Sequence, residues 1–220
     1  MLGLTFDQSR TPERILCLGA HCDDVEIGCG ATLLRLARLL PDAEIRICVF
    51  TGNDEREAET REALQRLLGE RVRDSIDVQR FRNGHFPYCA SEIKEHLESY
   101  KSFRPDLIFT HYRHDHHQDH RTVSELTANT FRDNLVLEYE ILKYDPDLGN
   151  PNVFVPTSRE DLDLKISILM ESFASQLDKQ WFTKSTFEAL ARIRGVHSAS
   201  PTGFAEAFYG GKVTVDFGES

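Results

Sequence analysis

Short apolar runs alternate along this chain with segments whose apolar residues recur at helical spacing, and that alternation restricts the fold more than any other feature. Arg14–Ala20 (RILCLGA) is a continuous apolar run, expected to be a strand buried on both faces. A turn punctuated by Gly28 and Gly30 follows, then Ala31–Leu40 (ATLLRLARLL), which is expected to be a helix. Glu44–Phe50 (EIRICVF) reads as the second strand, ended by Thr51-Gly52-Asn53, and Glu55–Gly69 as a charged helix that Gly69 terminates. A weaker strand near Asp77–Phe81, a helix at Ser91–Lys101, a strand at Asp106–His111 and a helix at Asp119–Arg132 extend the pattern. Further on it loosens. Leu135–Tyr144 reads as a strand, Asp161–Phe173 and Lys184–Ile193 as helices, and Lys212–Phe217 (KVTVDF) as an edge strand. Strands alternating with helices imply βαβ units. The expectation is an α/β fold: a Rossmann-like three-layer αβα sandwich with a mainly parallel sheet, formed as a single domain over residues 1–220.

In such sheets ligands bind beyond the carboxyl ends of the strands, near the point where strand order reverses. Two polar clusters sit at predicted strand ends. The first is His21-Cys22-Asp23-Asp24. The second is His111–His120 (HYRHDHHQDH), which packs five of the nine histidines into ten residues. Imidazole and carboxylate together suit a borderline metal such as zinc. On a helical turn His21 and Asp24, three residues apart, face the same way. They can share an ion while Asp23 points elsewhere, with a third ligand from the second cluster. Three protein ligands with open positions describe a catalytic zinc site, in which an ion lowers the pKa of water and a free carboxylate takes the proton. Spacing alone does not choose among the histidines. One such string by itself is more simply a solvated turn or an adventitious metal binder. Two of them, each at a predicted strand end, argue for catalysis.

At these residues the chain resembles the LmbE-like, or PIG-L-like, zinc-dependent N-acetylglucosaminyl deacetylases. That family carries AHPDD after its first strand and an HPDH-type motif after a later one; here they read Ala20-His21-Cys22-Asp23-Asp24 and His117-Gln118-Asp119-His120. Gly28, Gly30, the segment PDLIFT and the AEAF at Ala205–Phe208 also look similar. The resemblance implies that His21, Asp24 and His120 bind Zn2+ (or Fe2+ in reducing cells), and that Asp23 is the general base. It further implies that His117 stabilises the tetrahedral intermediate or protonates the leaving amine, with Asp119 orienting or tuning a neighbouring histidine. Cys22 and Gln118 replace family prolines, neither of them a ligand. Arg61, Asn83 and Glu206 are candidate substrate contacts, each with a surface or structural role as its plain alternative. His111, His114 and His116 are candidates to support the ligands, or are solvated.

Composition narrows the partners. A formal net charge of −10 disfavours nucleic acid and anionic membranes. No apolar stretch approaches the length of a membrane span. The odd cysteine count, without a CxxC, fits reduced thiols, and no signal-peptide pattern opens the chain, so a cytoplasmic location is expected. No nucleotide-binding glycine motif is present. The expected ligand is a small N-acetylated sugar or sugar conjugate, turned over by hydrolysis of its amide. Another small-molecule amide, a non-haem Fe(II) oxygenase or a non-catalytic metal binder are the alternatives. The family resemblance and the apolar segment Val153-Phe154-Val155 suggest a homo-oligomer.

Overall fold

The computed structural model describes residues 11–215 together with 3, 5 and 6. Its elements are β1 (Arg14–His21), α1 (Asp24–Leu39), β2 (Glu44–Thr51), α2 (Asp54–Leu68), β3 (Ile76–Val78), α3 (Ala90–Ser99), β4 (Leu107–His111), α4 (Gln118–Thr130) and β5 (Leu135–Tyr139). There follow β6 (Val153–Pro156), α5 (Arg159–Ser172), α6 (Lys184–His197) and β7 (Ala205–Gly210). One seven-stranded sheet runs β3-β2-β1-β4-β5-β7-β6. The first five strands are mutually parallel, and β7 is antiparallel to both β5 and β6. The α/β sandwich expected from the alternating pattern is thus observed.

Burial explains why β1 reads as an unbroken apolar run. Ile15 and Cys17 face a core built with α1, α2, α5 and α6, whereas Leu16, Leu18 and Ala20 face a second core with α3 and α4. Neither face of β1 meets water, so the alternation typical of a half-exposed strand is absent.

Three elements differ from expectation. Helix α1 begins at Asp24, seven residues before Ala31, because the segment around Gly28 and Gly30 is helical and not a turn. It is kinked at Cys29 (φ −142°, ψ 16°). Gly28 is required there, since a Cβ would overlap the Tyr139 ring. Strand β5 stops at Tyr139, and residues 140–150 leave the sheet as a loop. The expected edge strand Lys212–Phe217 is not formed over 212–215, and 216–217 lie outside the described residues. The edge it would have joined is taken by β6, which pairs with β7. Val153 and Val155 belong to β6 and pack on the core, which accounts for their apolar character within the chain.

The kink also corrects Glu206. Both of its carboxylate oxygens are committed inside the protein. They accept the N–H groups of Ala31 (3.0 Å) and Thr32 (2.6 Å), which the kink deprives of helical acceptors, and they meet Lys165 Nζ at 2.5 Å. Lys165 also donates to Ile27 O (2.6 Å). Glu206 thus caps the second half of α1 from β7, a structural role. Removing one member of a buried ion pair typically costs about 3–5 kcal/mol, because the other charge is stranded. Glu206→Ala is expected to lose stability in that range by urea unfolding, and Lys165→Met/Glu206→Leu to recover only the part due to the stranded charge, since the Ala31 and Thr32 N–H groups still lack an acceptor. A loss below about 1 kcal/mol in the single variant would contradict this capping role.

Candidate metal centre

Strands β1 and β4 are neighbours at the point where strand order reverses, and both clusters lie at their carboxyl ends. His21 is the last residue of β1, Asp24 the first of α1, and Asp23 the N-cap between them. The turn is tight enough for His21 N–H to donate to Asp24 Oδ2 (2.6 Å). It places Asp23 at φ 121°, a strained conformation for a residue with a Cβ. Both carboxylates gain from the positive end of the α1 dipole. On the other side His117 caps α4, which carries Asp119 and His120 in its first turn.

His21, Asp24 and His120 converge. His21 Nδ1 lies 3.1 Å from His120 Nε2 and 3.3 Å from Asp24 Oδ2, while His120 Nε2 lies 3.6 Å from Asp24 Oδ1. A tetrahedral ion with bonds of about 2.0–2.1 Å holds its ligand atoms about 3.3–3.4 Å apart. These separations are close to that, with the two imidazoles addressing different oxygens of Asp24. The compact donor groups here are His21, His117 and His120 on one side and Asp24, His111 and His120 on the other. The remaining imidazole nitrogens are also held. His21 Nε2 meets Asp119 Oδ2 at 3.3 Å, and His120 Nδ1 meets Asp115 Oδ2 at 2.9 Å. A carboxylate behind each histidine fixes its ring and tautomer, an arrangement common to metal-binding imidazoles. Asp119 is itself anchored by the N–H groups of Gly84 (2.6 Å) and Phe86 (3.1 Å). The histidine it orients comes from β1, not from its own motif.

The other histidines divide by geometry. His117 Nδ1 accepts the N–H of Asp119 (3.2 Å), so the neutral ring presents Nε2–H outward. Burial and the neighbouring His21 lower its pKa, which favours that neutral form. His111 is fully buried and stacked on His120 with ring centroids 3.9 Å apart. Its Nε2 lies 2.9 Å from Ala20 N and 3.2 Å from Asp24 Oδ2, so it forms a compact donor group with Asp24 and His120. His114 lies edge-on to Tyr112, and His116 is exposed. Cys22 turns its Sγ to Thr51 O (3.5 Å) and away from the donors; burial pushes its thiol pKa up.

Asp23 has a partner that sequence reasoning missed. Arg56, in the first turn of α2, pairs with Asp23 Oδ2 at 2.8 Å and Glu59 Oε2 at 2.9 Å, and also donates to Cys22 O. Burial raises the Asp23 pKa to about 6 against the pull of Arg56. Arg61, the expected arginine, pairs instead with Glu57 at 2.8 Å. Five residues along a helix turn it about 140° away from Arg56 and carry it further from the strand ends. Position was the available signal, because only the first turn of α2 adjoins the end of β2. Asn83 is exposed, on the loop whose Gly84 and Phe86 backbone clamps Asp119. Another mixed group, Cys48, Asp77 and His96, is satisfied internally, with His96 Nε2 (2.8 Å) and Tyr100 Oη (2.9 Å) both on Asp77 Oδ2.

An open parallel sheet with two histidines and an aspartate gathered at its switch point defines the class: an α/β protein with a metal-competent centre. A family model described as GlcNAc-PI de-N-acetylase (PIG-L) matches residues 16–131, and the chain belongs to that family. Among solved structures it is similar to N,N'-diacetylchitobiose deacetylase from Pyrococcus horikoshii (17% identity, 90% of this chain and 84% of that one, TM-score 0.70). It is also similar to the conserved protein TT1542 from Thermus thermophilus (20% identity, 96% and 100%, TM-score 0.72). A third is GalB, the 4-carboxy-2-hydroxymuconate hydratase from Pseudomonas putida (16% identity, 94% and 100%, TM-score 0.74). At these identities the likeness establishes the fold. Among the described residues no helix is long and apolar enough to cross a membrane.

The charges of the metal-free centre set a pH dependence. Burial pushes the His21 pKa down, but Asp24 and Asp119 outweigh it and raise it to about 10. At neutral pH an incoming cation must therefore displace a proton from His21. Apparent zinc affinity is expected to rise about tenfold per pH unit between roughly pH 7 and 9, with about one proton released per ion. Titration calorimetry in buffers of different ionisation enthalpy measures that proton. A pH-independent affinity would contradict the charge balance.

Proposed function

We propose that the protein is a divalent-metal-dependent hydrolase that removes an acyl group, acetyl above all, from the nitrogen of an amino sugar or sugar conjugate. His21, Asp24 and His120 would hold the ion, Zn2+ or Fe2+. The observation that carries this reading is the donor triangle with a buried, unligated carboxylate, Asp23, beside it. Family membership supports it, as do the deacetylases among the structural neighbours. The hydratase among those neighbours means that the site, and not the fold, has to carry the choice of reaction.

When bound, the ion supplies Lewis acidity, polarising an acyl oxygen and lowering the pKa of water. Asp23 accepts the proton of the attacking water. Without the ion, burial raises its pKa to about 6, so it is ionised at neutral pH, and a neighbouring cation would favour the ionised form further. Arg56 holds the Asp23 carboxylate in place. His117 donates Nε2–H to the developing oxyanion, a contribution worth roughly 3–4 kcal/mol for a single well-placed donor. Proton return from Asp23 to the amine completes the cleavage, so acetate and a free amine leave. An Fe(II) oxygenase would need neither Asp23 nor the His117 donor, and a storage site would need no general base.

Amine release over a panel of N-acylated sugars, with metal-loaded and metal-stripped protein, tests the activity. No release from any member by the loaded protein would contradict it. Asp23→Asn is expected to keep its metal while kcat falls about 10²–10⁴-fold, and His117→Ala to keep its metal while kcat/KM falls. Near-normal turnover by Asp23→Asn at full occupancy would remove Asp23 from the mechanism. Loss of the ion from that variant would make Asp23 a ligand.

A further inference from the structure

The loop that leaves β5 carries three charged residues, Lys143, Asp145 and Asp147, that meet Asp115 of the His-rich loop. The carboxylates of Asp115, Asp145 and Asp147 lie within 4.8 Å of one another, a spacing that suits a cation. The cation is already present as a side chain. Lys143 Nζ sits 2.9 Å from Asp115 Oδ1, 2.6 Å from Asp147 Oδ2 and 3.8 Å from Asp145 Oδ2. Lys143, Asp115 and Asp147 have side-chain exposures of 9%, 3% and 4%, so water screens this group poorly.

The two carboxylates nearest Lys143 also grip the metal-site loop. Asp115 Oδ2 takes His120 Nδ1 at 2.9 Å, and Asp115 Oδ1 accepts the His117 N–H at 2.7 Å. Asp147 Oδ2 accepts the His116 N–H at 2.7 Å. Without the ammonium, two nearly buried carboxylates face one another across the gap it fills. Their mutual repulsion would displace Asp115 from His120, and Nδ1 would lose the acceptor that turns Nε2 toward the ion. Lys143 and Asp147 lie beyond residues 16–131, so this support is built by a part of the chain outside the family match.

We propose that Lys143 is a positioning residue of the metal centre: through Asp115 it fixes the ring of His120, and through Asp147 it holds the backbone of the loop that presents His117. The inference rests on the assignment of His120 as a ligand. Losing the outer partner of a metal-binding histidine typically costs 10–100-fold in metal affinity, and Lys143 stands one contact further out. Lys143→Met is accordingly expected to weaken zinc binding by the metal-free protein about tenfold, and Lys143→Arg to restore most of it.

A double-mutant cycle separates this role from general support of the fold. If Lys143 acts through Asp115, Lys143→Met costs clearly less zinc affinity in the Asp115→Asn background than in the wild type. Zinc affinities are measured by competition with a chromogenic chelator, and folding by circular dichroism. Additive losses in the cycle, or a folded Lys143→Met with wild-type affinity, overturn the proposal. Should Lys143→Met not fold, Lys143→Gln, which keeps a donor and most of the volume, carries the same comparison. His120→Ala is the reference. A zinc affinity that does not depend on His120 overturns both the ligand assignment and this inference. A His120-dependent affinity that survives removal of Lys143 overturns this inference alone.

Discussion

The structure depends on keeping a dense cluster of imidazoles and carboxylates ordered and largely out of water at the ends of β1 and β4. Buried charges are costly unless paired, and most here are paired. Glu26, whose Oε2 has no partner among the described residues, has its pKa pushed up to about 8 by burial instead. Asp24 is held well below the usual carboxylate range: burial opposes ionisation, but His120, His111 and His21 surround it. Asp115 is lowered too, its burial outweighed by His120 and Lys143. Asp23 is the exception by degree. It has Arg56 as its partner, yet burial leaves it near pH 6, where a base is useful. Two adjacent aspartates thus acquire different chemistry, because one faces three imidazoles and the other a single guanidinium.

The fold serves that cluster by rigid placement. Apolar packing on both faces of β1 fixes where the strand ends, and hence where His21 and the strained Asp23 turn lie. The kink of α1 lets its first turn follow that strand end while its second half packs independently, capped by Glu206 and braced by Lys165. Tyr139 joins the two motifs. Its ring fills the space that Gly28 leaves open, and its hydroxyl donates to Leu18 O (2.6 Å) beside His111. Function and folding meet at these few contacts.

Much of this was legible in the residues. The central strands β1, β2 and β4 stand out because continuous apolar runs are what strands buried on both faces require. The proposed ligand triad rests on spacing joined to the family resemblance. What escaped notice depends on packing between distant segments. The glycines of α1 read as a turn because nothing local reveals the Tyr139 ring they accommodate. Glu206 looked like a site residue until the buried Lys165 was seen to claim it. Arg56 does not stand out in the sequence because local context says nothing about which face of α2 meets Asp23. The Lys143 bridge joins a loop after β5 to a loop after β4, and no periodicity marks it.

The central claim is that one ion is held by His21, Asp24 and His120. Anomalous diffraction at the zinc edge from crystals of zinc-loaded protein tests it most directly. The account requires a peak about 2.0–2.2 Å from His21 Nδ1, His120 Nε2 and an Asp24 oxygen, with Cys22 Sγ and the Asp23 carboxylate outside bonding distance. A principal peak at Cys48, Asp77 and His96, or one bonded to Cys22 at about 2.3 Å, would contradict it.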